Sequence, residues 1–307
     1  MVHYAPLVDS TARRFVGPCL LAFATVLSSA SDTQAGRPRS RAKAADGVAT
    51  LRPTVSGRVL IRRGVFPMGS DQEEIALALA LCRSEPMGEQ CQEEWFADEF
   101  APRSVELSDF WIDRTEVPMG EYLRCVEAGP CSAPPLAAGG RRFLAPDLPA
   151  TMITWSEAAT FCAFRGGRLP TEAEWERAAR GVNGRRYPWG NVFDPYLTNG
   201  GRFGIQVFEE KDGFLELAPV GSFVEGATPD RIVDLVGNAE EWVADWWAPE
   251  YPMTSEVNPK GSSVGDEKVV RGGSYIQGRH SLRAAERNKA VPNARRPRRG
   301  FRCAAGP

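Results

Sequence analysis

The sequence predicts one domain of short elements joined by long, ordered loops. Two features of composition carry this. The chain has 307 residues with 30 Gly, 24 Pro and 8 Trp, a mixture that ends helices and strands early yet supplies large side chains for a core. It also has 7 Cys, and cysteines can staple loops that regular structure does not hold. No internal repeat is evident. Apolar content of 43%, charged content of 25% and a formal net charge of −2 are those of a globular chain, and they argue against nucleic acid or a membrane surface as partner.

The elements follow in order. Residues 1–30 read as a signal peptide: Arg13 and Arg14 precede an apolar run from Phe15 to Leu27, then small residues resembling a cleavage site. The run is too short to span a membrane. Export to a periplasmic or extracellular compartment is therefore expected. Residues 31–56, rich in Arg, Ala, Ser and Pro, read as a flexible linker, and 57–307 as the domain. "RVLIRRGVFPMGS" alternates and then turns. Residues 71–99 are strongly acidic and read as a solvated excursion. "SVELSDFWIDRTEVPMGEYLRCVEAG" gives a strand, a turn and a helix starting near Pro118. "TWSEAATFCAFRGGRLPTEAEWERAARG" holds two helices, the first capped by Thr154 or Ser156 and ended by Gly166-Gly167. The second is capped by Thr171, with Glu174 in a capping-box position. A turn-rich stretch to Phe223 precedes "DLVGNAEEWVADWW".

Setting Cys19 aside with the signal peptide leaves Cys82, Cys91, Cys125, Cys131, Cys162 and Cys303. An even number in an exported chain points to disulfides. Cys82/Cys91 and Cys125/Cys131 are near enough for local loops, which leaves Cys162 and Cys303; one or two free buried thiols is the alternative. A zinc site is disfavoured, because no C-x2-C spacing occurs and only His280 follows the signal peptide.

Seven segments in order resemble the sulfatase-modifying factor, or formylglycine-generating enzyme, family. They are "FPMGS" (66–70), "FWIDRTEVPMGEY" (110–122), "GGRLPTEAEWERAARG" (166–181), "YPWGN" (187–191), "DLVGNAEEWVADWW" (234–247), "VVRGGSY" (269–275) and "GFRCA" (300–304). The resemblance implies a single C-type-lectin-like α+β domain, poor in regular structure and held by calcium ions. It also implies a Cys162–Cys303 disulfide. Two calcium sites carry over: Asn199, the Gly200 carbonyl, Asp212 and the Phe214 carbonyl for the first. Asp234, the Gly237 and Ala239 carbonyls and Glu241 form the second. Such oxygen sets on bent chain suit calcium.

The family's copper site does not carry over. Its C-x4-C thiolate pair would follow the "GGSY" turn, where this chain has "IQGRHSLRAAERN". Arg283 aligns with the second cysteine and the first falls near Gly278; thiolates suit Cu(I), and a guanidinium repels it. Glu240 stands where the enzyme has Trp. Iron-binding relatives use three His, which this chain lacks. The wall of the site is thus Ser274, His280, Ser281, Arg283 and Glu240. A Ser–His arrangement there would use Ser274 or Ser281 with His280 as base and Glu286 as orienter. From Arg279 to Arg302 the chain carries nine Lys and Arg. They read either as a groove for an anion or acidic peptide, or as a solvated loop pairing with the acidic 71–99 segment. The resulting expectation is an exported, calcium-stabilised binding or accessory module. The alternatives are a modifying enzyme with changed chemistry, as in periplasmic peptide-siderophore maturation, or residual formylglycine generation.

Overall fold

The computed structural model describes residues 57–135, 140–202, 212–251 and 257–307. The signal-peptide and linker expectations fall on residues 1–56, outside the described residues.

Among the described residues the strands form three small sheets. Strand β1 (Arg58–Ile61) pairs antiparallel with β4 (Phe110–Asp113), which in turn pairs with β9 (Ala304–Ala305), joining the two ends of the domain. Strand β2 (Gly64–Met68) pairs with β3 (Arg103–Leu107). A four-stranded sheet has the order β7 (Arg287–Ala290), β6 (Lys268–Arg271), β5 (Glu240–Trp246), β8 (Arg299–Phe301), with β5 and β8 parallel. Every residue of β6 is buried, as a central strand covered on both faces requires.

Helix α1 (Gln72–Arg83) precedes β3, and α2 (Met119–Glu127) starts directly after Pro118. Helices α3 (Trp155–Phe164) and α4 (Glu172–Arg180) both begin with reciprocal capping boxes, Thr154 with Glu157 and Thr171 with Glu174. Each box satisfies orphan N–H groups at the helix start, worth about 1 kcal/mol. Gly166, at φ 68°, follows α3 in the left-handed region that ends helices.

Two clusters form the main core. One packs Phe66, Trp175, Leu235, Val243, Val269 and Leu282 between the sheets and α4. The other gathers Tyr122, Phe161, Trp242 and Phe301 around the Cys162–Cys303 bridge, with Phe161 and Phe301 edge to face at 5.5 Å. Disulfides join Cys82 to Cys91, Cys125 to Cys131 and Cys162 to Cys303, so all six cysteines of the described residues are paired.

The acidic 71–99 segment is not a solvated excursion. Ile75, Ala78, Leu79 and Cys82 line one face of α1 and pack with Cys91 and Phe96 in a cluster of their own. That i, i+3, i+4, i+7 stripe is the helical signature that the charge of the segment masks. Its acidic side chains turn outward along part of its length, but Glu99 at its end is buried.

Candidate functional site

The site begins at a turn that only glycine can make. Gly272 and Gly273 have φ of 90° and 65°. A Cβ on Gly272 would lie 2.5 Å from the Leu235 carbonyl oxygen, and one on Gly273 would lie 2.6 Å from that of Ser281. Backbone bonds then stitch three distant segments together. Gly237 N–H donates to the Gly272 carbonyl at 2.8 Å, Tyr275 N–H to that of Asn238 at 3.0 Å, and Asn238 N–H to that of Asn199 at 2.7 Å.

Beyond the turn, the chain buries Ser274, His280, Ser281 and Arg283. Arg283 is wholly buried and grips Glu99 with both terminal nitrogens, Nη1 reaching Oε2 at 2.8 Å. Ser70 Oγ donates to the same carboxylate at 2.7 Å, and Arg283 Nε donates to the His280 carbonyl. Burial alone would raise the Glu99 carboxyl, but the charge and hydrogen bonds of Arg283, helped by Ser70, hold it below the usual carboxylate range. Arg283 is therefore one half of a buried ion pair. Its partner comes from the acidic segment.

The same holds along the Arg-rich stretch. Arg279 meets Glu85, Arg287 meets Glu172, Lys289 meets Glu267, Arg295 meets Glu157, Arg298 and Arg299 meet Glu240, and Arg302 meets Glu241. Eight of the nine cations thus face a carboxylate, and Arg283, Arg287, Arg299 and Arg302 do so in the interior, so the expected groove for an anion does not open at Arg283. A further knot of buried charge, invisible in the sequence motifs, lies beside it. Arg271 bridges Glu172 and Glu176 of α4 at 3.1 and 2.6 Å. That is why the charged face of α4 is buried.

Chemistry at the wall is limited by these surroundings. Burial, then the charges of Arg283 and Arg279, push His280 down to about 4, so its imidazole is neutral and a weak base. Burial pushes Glu286 well above the usual carboxylate range, so it is a poor source of the negative charge that an orienting residue supplies. Ser274 Oγ stands 3.0 Å from Gln277 Oε1. Glu240 accepts from Arg299 Nε at 2.8 Å and is held as its counter-ion.

The residues of the expected calcium sets are partly brought together. Gly200 N–H and Phe214 N–H both donate to Asp212, at 3.2 and 3.0 Å. Asn199 Nδ2 donates to the Glu216 carbonyl and to Asn238 Oδ1, which leaves its own oxygen on the other side of the amide. This all-oxygen set fits a hard cation. In the second set Asp234, with Gly237 and Ala239 close along one loop, is buried, and its Oδ1 meets no donor. Glu241 is elsewhere engaged: it accepts from Arg302 Nε and Nη2, and from Trp175 Nε1 at 2.8 Å. Instead Glu116, which the motifs did not single out, sits beside Asp234. Among the described residues no cluster of three or more His, Cys, Asp or Glu side chains could hold a metal by side chains alone.

Open cavities lie away from this interior. One of about 730 Å³ is lined by Trp155, Trp246, Arg168, Lys260 and Lys268. Lys268 Nζ lies between two indoles, 3.7 Å from the Trp246 centroid and 3.9 Å from that of Trp155, and donates to the Ala244 carbonyl at 2.8 Å. Burial lowers it to about 8. Among the described residues no helix is long and apolar enough to cross a membrane.

Comparison with known proteins places this geometry. The chain is 38% identical over 169 residues to the formylglycine-generating enzyme of Bos taurus, covering 52% of this chain and 44% of that one. It is also 38% identical over 170 residues to the inactive C-alpha-formylglycine-generating enzyme 2 of Mus musculus, covering 52% and 49%. The chain thus matches about half the length of these relatives. The structure of PvdO from Pseudomonas aeruginosa superposes with a TM-score of 0.64 at 23% identity, covering 81% of this chain and 94% of that one, which shows a shared fold. The Sulfatase-modifying factor enzyme 1-like domain matches residues 44–306, and the chain belongs to that family.

Proposed function

We propose that this chain is an exported, calcium-stabilised member of the family that acts as a binding or accessory module rather than as a copper-dependent formylglycine generator. One observation supports the reading: Arg283, which the resemblance aligns with the second copper thiolate, is buried and locked onto Glu99. A guanidinium cannot ligate a metal, and its carboxylate partner leaves the interior without a soft donor. All six cysteines of the described residues are already in disulfides. A mouse relative of equal identity bears the name inactive, so the family fold persists where that activity does not.

The ligand-facing surface in this reading is the cavity between Trp155 and Trp246, not the neutralised Arg-rich stretch. Exposed Lys260 and the indole-flanked Lys268 give it positive charge beside flat apolar walls, features that suit an acidic peptide or small organic anion. Calcium at the Asn199–Asp212 loops would hold together segments that regular structure does not.

The test pairs two measurements on the full chain. Incubation with Cu(I), oxygen and a cysteine peptide should yield no aldehyde product, and formylglycine formation would overturn the non-generating reading. Titration with acidic peptides, followed by tryptophan fluorescence, should show binding that weakens in Lys260→Ala. Absence of any binding would overturn the placement of the ligand surface.

A further inference from the structure

Between β2 and β3 the chain from Gly69 to Pro102 makes one excursion from a hairpin whose last ladder pair is Met68 with Arg103. The neck of this excursion is fixed. Gly69 N–H donates to Glu176 Oε1, and the Gly69 carbonyl accepts from Arg180 Nη1, both at 2.7 Å. Ser70 N–H donates to the Glu99 carbonyl at 2.9 Å, which closes the two ends on each other. A Cβ on Gly69, at φ 89°, would lie 2.6 Å from that same oxygen, so the closure requires glycine.

Beyond the neck the excursion has a core of its own. Ile75, Ala78, Leu79, Cys82, Cys91 and Phe96 pack together, and none of them belongs to either main cluster. A helix of 12 residues is marginal by itself. Here the Cys82–Cys91 bridge holds its end, and Asp71 caps its start by accepting from Glu74 N–H at 2.8 Å. The excursion is thus built to keep its shape whatever it rests on.

Its attachment to the body weakens from base to tip. At the base, Glu99 with Arg283 and Glu74 with Arg180 are largely buried pairs. At the tip, Glu85 faces Arg279 at 3.5 Å and Arg202 at 3.9 Å, and those two cations are 38% and 42% exposed. Arg279 Nη2 also donates to Ser84 Oγ. Ion pairs open to solvent contribute little. Between base and tip, Phe96 stands edge-on to His280, with ring centroids 6.3 Å apart, and His280 is 6% exposed. A segment that is self-cored, tied firmly at one end and loosely at the other is drawn from the low-stability end of a fold.

We propose that Ile75–Phe96 is a lid, latched by Glu85, that lifts as a preformed unit from the "GRHS" wall at Arg279 and His280. It pivots on the Gly69–Ser70–Glu99 neck. The β2–β3 ladder beneath stays closed, because Phe66, Met68, Val105 and Leu107 are packed in the main core. The Glu99–Arg283 pair also stays made, so opening uncovers Arg279 and His280 without stranding a buried charge. Neither the calcium nor the ligand surface proposed above enters into this device.

The experiment is carbethoxylation of His280 by diethyl pyrocarbonate in the full chain with its disulfides intact, located by mass spectrometry. The other histidine of the sequence, His3, falls in a separate peptide. Rates are taken relative to a free histidine peptide in the same buffer. Wild type should react slowly. Its rate should rise roughly two- to fivefold between about 0.1 M and 1 M salt, as screening weakens the Glu85 latch. Glu85→Gln should raise the low-salt rate by about the same factor and lose most of the salt response. Both rates should change little in urea well below the melt, because a local opening exposes little new surface. Should Glu85→Gln lack native circular dichroism, the wild-type salt and urea series decides alone. A rate that climbs steeply with urea from the lowest concentrations would show that only global unfolding reaches His280, and the lid would be refuted. A rate indifferent to both salt and Glu85→Gln would refute it equally.

Discussion

Glu99→Gln is the perturbation that most directly probes the interior of the site. The Glu99–Arg283 pair is 1% and 0% exposed at its two side chains, so solvent cannot re-solvate whichever partner remains. The substitution keeps the volume and the Ser70 contact but removes the charge that two guanidinium nitrogens face. Breaking one half of a buried pair costs about 3–5 kcal/mol. For a domain of this size each kcal/mol moves the melting temperature by about 2–4 °C, so the variant should melt roughly 10 °C lower. Replacing both partners tells the cost of isolation from the worth of the pair. Glu99→Gln combined with Arg283→Met leaves no stranded charge, and the double variant should recover most of the loss. Urea melts of the four proteins, disulfides intact, give the coupling energy. A Glu99→Gln melt within about 1 kcal/mol of wild type would show that Arg283 is solvated, and the argument for a filled site would fail.

Three further outcomes follow from the same geometry. His280 lies at about 4 in the folded protein against 6.5 unfolded, so the unfolded chain takes up its proton first. Stability from this group is complete above 6.5 and drains away as pH falls toward 4, by about 3 kcal/mol in all; the difference between wild-type and His280→Asn stability curves should show that limb, and parallel curves would refute it. Cys162→Ser with Cys303→Ser opens a loop whose ends are 141 residues apart, which should cost about 4–5 kcal/mol in a chemical melt, whereas removing the Cys125–Cys131 bridge, with a separation of 6, should cost less; equal costs would contradict the loop-length argument. Gly278→Cys with Arg283→Cys should not by itself create a tight Cu(I) site, because Glu99 would then be buried without a partner, and adding Glu99→Gln should improve copper competition against a chelator; tight binding by the double variant alone would show that Glu99 does not control the site.

Local signals made much of this fold legible in the sequence. Thr154 and Thr171 with their glutamates three residues on marked two helix starts, and both boxes are formed. The six paired cysteines were readable because an even count and short spacings leave few connectivities. What the sequence hid were partners at long range. Glu99 and Arg283 are 184 residues apart, and nothing near either one names the other. The charge of 71–99 outweighed its buried stripe of Ile75, Ala78, Leu79 and Cys82, so a packed helix read as solvated chain. Glu116 stood in a recognised motif, yet its nearness to Asp234 arises only when β4 and the loop before β5 are brought together. Motif order conveyed the scaffold; charge pairing across it was legible only in three dimensions.

Arg283 cannot stand alone in the interior of the domain. A guanidinium in that interior demands a carboxylate, and the carboxylate demands a segment to deliver it. Helix α1, its disulfide and Glu99 form that segment, anchored by Arg180, which reaches Glu74 at 2.8 Å and the Gly69 carbonyl at 2.7 Å. Arg279 adds an outer clasp on Glu85. Losing Arg283 therefore strands Glu99, and losing the segment strands Arg283, so neither can change without the other. The acidic segment and the altered "GRHSLRAAER" stretch are one structural unit in two pieces of sequence.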